Sequence, residues 1–110
     1  MEVTTRTQGE VLIAAIAGSL DSMTSPEAQK ALDALVAQGA KKVAVDCAGL
    51  DYISSAGLRV LLGLAKQLGA KGGSLRTFGL NQTVKEVFEI SGFSTIFRVF
   101  PTESDALAGF

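Results

Sequence analysis

Ser54 and Ser55 are the two side chains whose type and position best suit chemistry in this sequence. They lie in the segment Asp51–Leu58, between a predicted buried strand and a predicted helix. The first N–H groups of a helix have no partner within it, and the helix dipole adds about half a positive charge there. A phosphoserine, with about −1.5 to −2 charge, is therefore tolerated at this place. The position favours phosphorylation, although these residues alone fit a plain helix cap better.

Catalysis by a serine hydroxyl finds no support elsewhere in the sequence. Histidine is absent, which removes the commonest general base near neutral pH and the commonest metal ligand. The Gly-x-Ser-x-Gly nucleophile elbow is missing, and the glycine-rich segment 69–73 follows a helix rather than a strand. The single cysteine, Cys47, cannot form an intramolecular disulfide or a multi-cysteine metal site. We expect no enzyme activity, no cofactor and no metal.

Composition limits the partners that this chain can take. Its 110 residues are 47% hydrophobic and 19% charged, which predicts one folded domain over residues 1–110. Ten basic and eleven acidic residues give a formal net charge of −1, so we expect no nucleic-acid partner. The longest apolar stretches are shorter than the roughly 20 residues of a membrane helix, and no basic-then-apolar leader is present. We expect a cytoplasmic protein with no membrane partner.

Apolar patterning predicts strands that alternate with amphipathic helices. Strands are predicted at 3–7, 11–17, 43–45, 74–78 and 96–99. Helices are predicted after Thr24, after the serine pair, after Asn81 and after Thr102. Thr24 has capping-box spacing with Glu27, and residues 46–53 are predicted to form a loop. This order predicts an α/β fold with a mixed, mainly parallel sheet of about five strands and about four helices.

Four segments of the sequence resemble the STAS domain of bacterial anti-sigma factor antagonists. In order along the chain they are Gly-Ser-Leu-Asp at 18–21, Val-Ala-Val-Asp at 43–46, Tyr-Ile-Ser-Ser-Ala-Gly-Leu at 52–58 and Val-Phe-Glu-Ile-Ser-Gly-Phe at 87–93. Each segment is short, but their order and spacing cover nearly the whole chain. The resemblance implies the STAS fold and a switch protein of a partner-switching pathway.

The resemblance also implies which serine is modified. The family's switch reads Asp-Ser-Ser/Thr-Gly-Leu, and its first serine is phosphorylated by a serine kinase that doubles as the anti-sigma factor. Alignment on Gly57 places this phosphoacceptor at Ser55, with Ser54 as the alternative. Ser54 stands where the family has aspartate, and Ala56 replaces the second hydroxyl. The unphosphorylated protein would bind the anti-sigma kinase, phosphorylation would release it, and a serine phosphatase would restore it.

A partner surface is expected around the switch. The candidate contact residues are Asp21, Ser22, Ser54, Ala56, Gly57, Arg59, Gly63 and Lys66. Asp21 maps to a family loop that lies close to the switch, although a turn or capping role fits it almost as well. Arg59, Gly63 and Lys66 share one helical stripe that suits an acidic partner, but a solvated helix face explains them equally. The alternative function is a STAS scaffold subunit, without phosphorylation, in a transport, lipid-transport or stress-signalling complex.

Overall fold

The computed structural model describes residues 1–96 and 98–110, which form an α/β fold. The strands in these ranges are β1 (Glu2–Gln8), β2 (Val11–Leu20), β3 (Lys42–Asp46), β4 (Leu50–Ile53), β5 (Ser74–Phe78) and β6 (Arg98–Phe100). The helices are α1 (Ser25–Ala37), α2 (Ser55–Ala70), α3 (Gln82–Ile90) and α4 (Glu103–Leu107), with a 3-10 turn at Phe93–Thr95. The predicted fold class is confirmed, with one strand more than predicted.

One mixed sheet organises the fold, in the order β1-β2-β3-β5-β6. The hairpin β1–β2 is antiparallel, and the other pairs are parallel. The last residues of β2 pair in parallel with β4. Helical connections between parallel strands place helix N-termini at the carboxyl edge of the sheet, where sites form in open α/β folds.

The sheet carries a large apolar core on one face and a smaller apolar cluster on the other. Apolar residues of β2, β3 and β5 pack on one face against α1, α2 and α3, in a core that includes Ile16, Val45, Leu61 and Phe88. A smaller cluster on the other face packs α4 and the chain end against Val11, Ile13, Ala44 and Phe78. The continuous apolar run of β2 is explained, because this strand is covered on both faces.

Strand β4 occupies the second half of the segment predicted as a loop, so that prediction was wrong. It pairs Tyr52 with Ser19 and Ile53 with Leu20, after a register shift between Gly18 and Ser19. Its two end residues are buried and its two middle residues are exposed. No alternation with period two therefore marks it in the sequence.

Two further predictions need correction. The last strand begins at Arg98 rather than at Ile96, because the Ile96 N–H closes the 3-10 turn on the Phe93 carbonyl at 3.0 Å. Position 97 of the predicted strand lies outside the described residues. Thr24 precedes α1 as predicted but makes no side-chain cap to that helix. The predicted caps Asn81 and Thr102 are confirmed, accepting from the N–H groups of Val84 and Asp105.

Arg76 of β5 binds α4 and the end of the chain on the sheet face that carries the smaller apolar cluster. Its guanidinium donates to the carbonyls of Ala106 and Ala108 at 2.9 Å each and to that of Gly109 at 3.3 Å. It also lies over the Phe110 ring, 4.3 Å from the centroid. Because a cation at a helix C-terminus satisfies carbonyls without partners in the helix, this side chain adds to the apolar contacts that hold the five-residue helix α4 in place.

Replacing Arg76 with methionine should lower the free energy of unfolding by about 2 kcal/mol or more, because three bonds from a charged donor are lost while the apolar stem is kept. Urea unfolding measures the change. Arg98→Met is the matched control, since Arg98 is exposed on the neighbouring strand and should change stability by less than about 0.5 kcal/mol. Equal losses in the two variants would contradict the role given to Arg76.

Candidate functional site

The carboxyl ends of β2 and β4 lie side by side and lead into α1 and α2. Leu20 pairs with Ile53, and the Ser54 N–H continues the ladder by donating to the Leu20 carbonyl at 2.9 Å. Asn81 supports the outer side of β4, because its Nδ2 donates to the Leu50 carbonyl at 3.1 Å while its Oδ1 caps α3. Two strand ends and two helix starts are thereby fixed at one edge of the sheet.

The two serines have different environments at this edge. Ser54 is the N-cap of α2, with extended backbone (φ −98°, ψ 176°) and with its Oγ accepting from the Gly57 N–H at 3.3 Å. Ser55 is the first helical residue and is exposed. Among the described residues, no acceptor is bonded to the Ser55 or Ala56 N–H groups, and the first turn of α2 carries no acidic side chain. The hydroxyl that helix capping leaves available is that of Ser55.

Gly57 is buried in the first turn of α2 and has a packing role. A Cβ at this position would lie 2.6 Å from the Leu20 carbonyl oxygen and 2.8 Å from a side-chain carbon of Ile53. Only glycine lets the first turn of α2 approach the β2 backbone so closely. Gly57, one of the candidate contact residues, is thus buried in this structure.

Asp21 and Thr24 hold the turn that connects β2 to α1. The Asp21 Oδ1 accepts from the N–H groups of Met23 and Thr24 at 2.9 and 3.0 Å, and the Asp21 N–H donates back to the Thr24 Oγ1 at 3.0 Å. This reciprocal pair is a capping box one turn ahead of the predicted one. The bonds from Thr24 and Met23 lower the pKa of Asp21 below its ordinary value of 3.8. The capping role, rather than a free carboxylate, describes Asp21 in this structure.

A shallow groove of about 300 Å³ separates the first turns of α1 and α2. It is lined by Ser22, Ser25, Pro26, Gln29, Ala56, Arg59 and Val60. Three of the candidate contact residues, Ser22, Ala56 and Arg59, thus share one surface beside Ser55. Gly63 and Lys66 lie farther along α2, half-buried and exposed respectively, and do not line the groove.

Two exposed apolar side chains at this edge were not singled out from the sequence. Met23 is 88% exposed in the turn before α1, and Tyr52 is 46% exposed on β4. Tyrosine and methionine are enriched where proteins contact one another, so these two side chains are added to the candidate contact residues. Periodicity could not reveal them, because one lies in a turn and the other in the strand predicted as a loop.

Other chemistry is not supported by the described residues. Within them, no group of three or more acidic, cysteine or histidine side chains could hold a metal ion. The helices found there are too short or too polar to cross a membrane. Burial raises the pKa of the Cys47 thiol to about 12, so this cysteine is an unreactive core residue.

Comparison with known proteins gives a consistent result. A family model of the STAS domain matches residues 2–106. BtrV of Bordetella bronchiseptica, whose name describes an anti-sigma factor antagonist, is 45% identical over 100 residues, covering 91% of this chain and 86% of BtrV. The anti-sigma-B factor antagonist of Listeria monocytogenes is 30% identical over 90 residues, covering 82% of this chain and 79% of the relative.

A solved structure agrees at the level of the fold. The crystal structure of an anti-sigma factor antagonist from Mycobacterium paratuberculosis superposes with a TM-score of 0.90 at 22% identity, covering 97% of this chain and 91% of that one. The fold predicted from the four sequence segments is therefore confirmed.

Gly57→Ala should lower the free energy of unfolding by about 1–3 kcal/mol, because the new methyl group meets backbone that cannot move aside cheaply. The matched control is Gly63→Ala in the same helix, where a Cβ meets nothing within 4 Å. That variant should be more stable than the wild type by about 0.5–1 kcal/mol, since alanine favours helix. Thermal and urea unfolding measure the change in stability of each variant. The packing role of Gly57 would be refuted if both variants were destabilised or both were stabilised.

Asp21→Asn should make stability less dependent on pH in acid. Because the folded state holds the pKa of Asp21 below 3.8, its carboxylate contributes stability above that value, and the contribution is lost as the pH falls through the lowered pKa. The difference between wild type and variant should be constant from pH 7 to about pH 5 and should shrink below about pH 4. Urea unfolding across this range measures it; a difference that stays constant down to pH 3 would contradict the assignment.

Proposed function

This chain belongs to the STAS domain family of anti-sigma factor antagonists, and we propose that it binds an anti-sigma serine kinase until Ser55 is phosphorylated. As the names of its relatives indicate, it is a regulatory binding protein and not an enzyme. Under this proposal the bound kinase gives up its sigma factor, phosphorylation releases the antagonist, and a serine phosphatase returns it to the binding form. The exchange takes place in the cytoplasm.

The observation that carries the proposal is that only one of the two serines, Ser54, is used as the helix cap. Ser54 is half-buried and its Oγ accepts from the Gly57 N–H, so its hydroxyl belongs to the helix cap. Ser55 is exposed one residue later and its side chain makes no hydrogen bond to the described residues. A kinase can therefore reach Ser55 without unfolding the start of α2.

Phosphorylation at this position leaves the fold intact. The γ-phosphoryl group of ATP passes to the Ser55 Oγ; the new O–P bond replaces the bond to ADP, and the hydroxyl proton is released. Hydrolysis by the phosphatase restores the hydroxyl and yields inorganic phosphate. The start of α2 stabilises the added negative charge through the helix dipole and through the unpaired N–H groups of Ser55 and Ala56. The helix therefore stays folded.

The same charge opposes binding to the partner. Met23, in the turn before α1, and Tyr52, on β4, have exposed apolar side chains, and we assign both to the partner surface together with Ser55. Burying a phosphate of about −2 charge between two proteins requires its desolvation unless the partner supplies cations. A change of a few kcal/mol suffices, because each 1.4 kcal/mol changes the dissociation constant about tenfold.

Ser55→Ala and Ser55→Asp should separate the two states of the switch. On affinity columns exposed to native cytosol, the wild type and Ser55→Ala should retain the same kinase, and Ser55→Asp should lose it. Mass spectrometry after incubation with that kinase and ATP should place one phosphate on Ser55. Titration calorimetry should show binding at least tenfold weaker for Ser55→Asp than for Ser55→Ala.

Ser54→Ala is the control for this experiment. It removes the cap and should lower stability by about 1 kcal/mol, yet it should still be phosphorylated at Ser55 and should bind the kinase. Phosphate on Ser54 instead, or equal binding by Ser55→Asp and Ser55→Ala, would disprove the proposal. A chain that takes no phosphate and copurifies with transport proteins would fit the scaffold alternative.

A further inference from the structure

The groove between α1 and α2 contains one charged side chain, Arg59. The other lining residues are serines, a glutamine and small or apolar side chains. Arg59 is exposed, and no carboxylate, carbonyl or aromatic ring among the described residues engages its guanidinium. A cation is therefore available at the rim of a concave surface beside the switch serine.

The nearby acidic side chains leave Arg59 free. The Asp21 carboxylate accepts from the backbone N–H groups of Met23 and Thr24 in the turn before α1. Glu27 is exposed in the first turn of α1 and forms no ion pair with Arg59. No acidic residue lines the groove. The first turns of α1 and α2, which border it, add positive partial charge from their N–H groups.

From this charge distribution we propose that the groove receives a carboxylate side chain of the anti-sigma partner, which pairs with Arg59. The inference rests on the proposed function and names the chemistry of its interface. A guanidinium binds a carboxylate through two parallel N–H bonds, which fixes orientation as well as charge. The groove supplies a concave surface on which such a pair can form, with Ala56 and Val60 as its apolar side.

The position of Arg59 also explains how phosphate releases the partner. Ser55 and Arg59 are four residues apart in one helix, so their Cβ atoms lie about 5–6 Å apart on one face. A phosphate on Ser55 reaches the guanidinium, occupies it and repels the incoming carboxylate. The partner loses its cation and meets a dianion at the same place, while the backbone of α2 stays where it is.

Calorimetric titration of the purified kinase with Arg59 variants tests the pairing. Arg59→Ala should weaken binding at least tenfold and Arg59→Glu at least a hundredfold, whereas Arg59→Lys should retain part of the affinity, because a lysine keeps the charge without the fork. Lys41→Ala is the matched control, since it removes an exposed cation at the opposite edge of the sheet and should change affinity less than twofold. Circular dichroism confirms that each variant is folded.

A thermodynamic cycle tests the competition. Phosphoserine at position 55 should weaken kinase binding by a larger factor in the wild type than in Arg59→Ala, because part of its effect acts through Arg59. In the free protein, the Arg59 Nε–H signal in an NMR spectrum should move on phosphorylation. An unmoved signal, or the same weakening factor in both backgrounds, would overturn the competition.

The outcomes distinguish this inference from the proposed function. If Arg59→Ala and Arg59→Glu bind as the wild type does while Ser55→Asp does not bind, the partner carboxylate is disproved and the phosphorylation switch stands. If Ser55→Asp binds as tightly as Ser55→Ala, the switch itself fails, and the inference fails with it.

Discussion

The close approach of the first turn of α2 to the backbone of Leu20 is the constraint on which the candidate site depends. The Leu20 carbonyl accepts from the Ser54 N–H, and the space above it is so small that a Cβ at position 57 would come within 2.6 Å of the oxygen. This contact joins the end of β2 to the start of α2. It fixes the direction in which the helix leaves the sheet, and with it the exposure of Ser55.

Adjacent residues at this edge have different structural roles. Ser54 caps a helix, Asp21 and Thr24 cap each other's N–H groups across a turn, and Gly57 provides the close contact. Ser55 has none of these roles, because its side chain is exposed and makes no hydrogen bond to the described residues. Under the proposed function, a phosphate on Ser55 would break none of these contacts, so its charge would act on the partner rather than on the fold.

Much of the fold could be predicted from local patterns. The apolar run of β2, the strand 74–78 and the caps Asn81 and Thr102 arise from hydrogen bonds and side-chain periods that span only a few residues. The four short sequence segments were sufficient to indicate the family and its fold. Two residue pairs before α1 have the spacing of a capping box, Asp21 with Thr24 and Thr24 with Glu27. The predicted pair is the second, whereas the structure forms the first. Only the point at which β2 ends decides between the two.

By itself, the sequence determined the order of the helices and of every strand except β4, the family, and a pair of serines at a helix start, since each follows from residues close together in the chain. It could not decide which serine is the cap. That depends on Ser54 pairing with Leu20, a residue distant in sequence, and the same long-range pairing created β4. The groove beside Arg59 likewise needs α1 and α2 to meet. Whether a serine is exposed, and whether an arginine has an ion-pair partner, depends on the residues that pack around it. Only the tertiary structure brings those neighbours together.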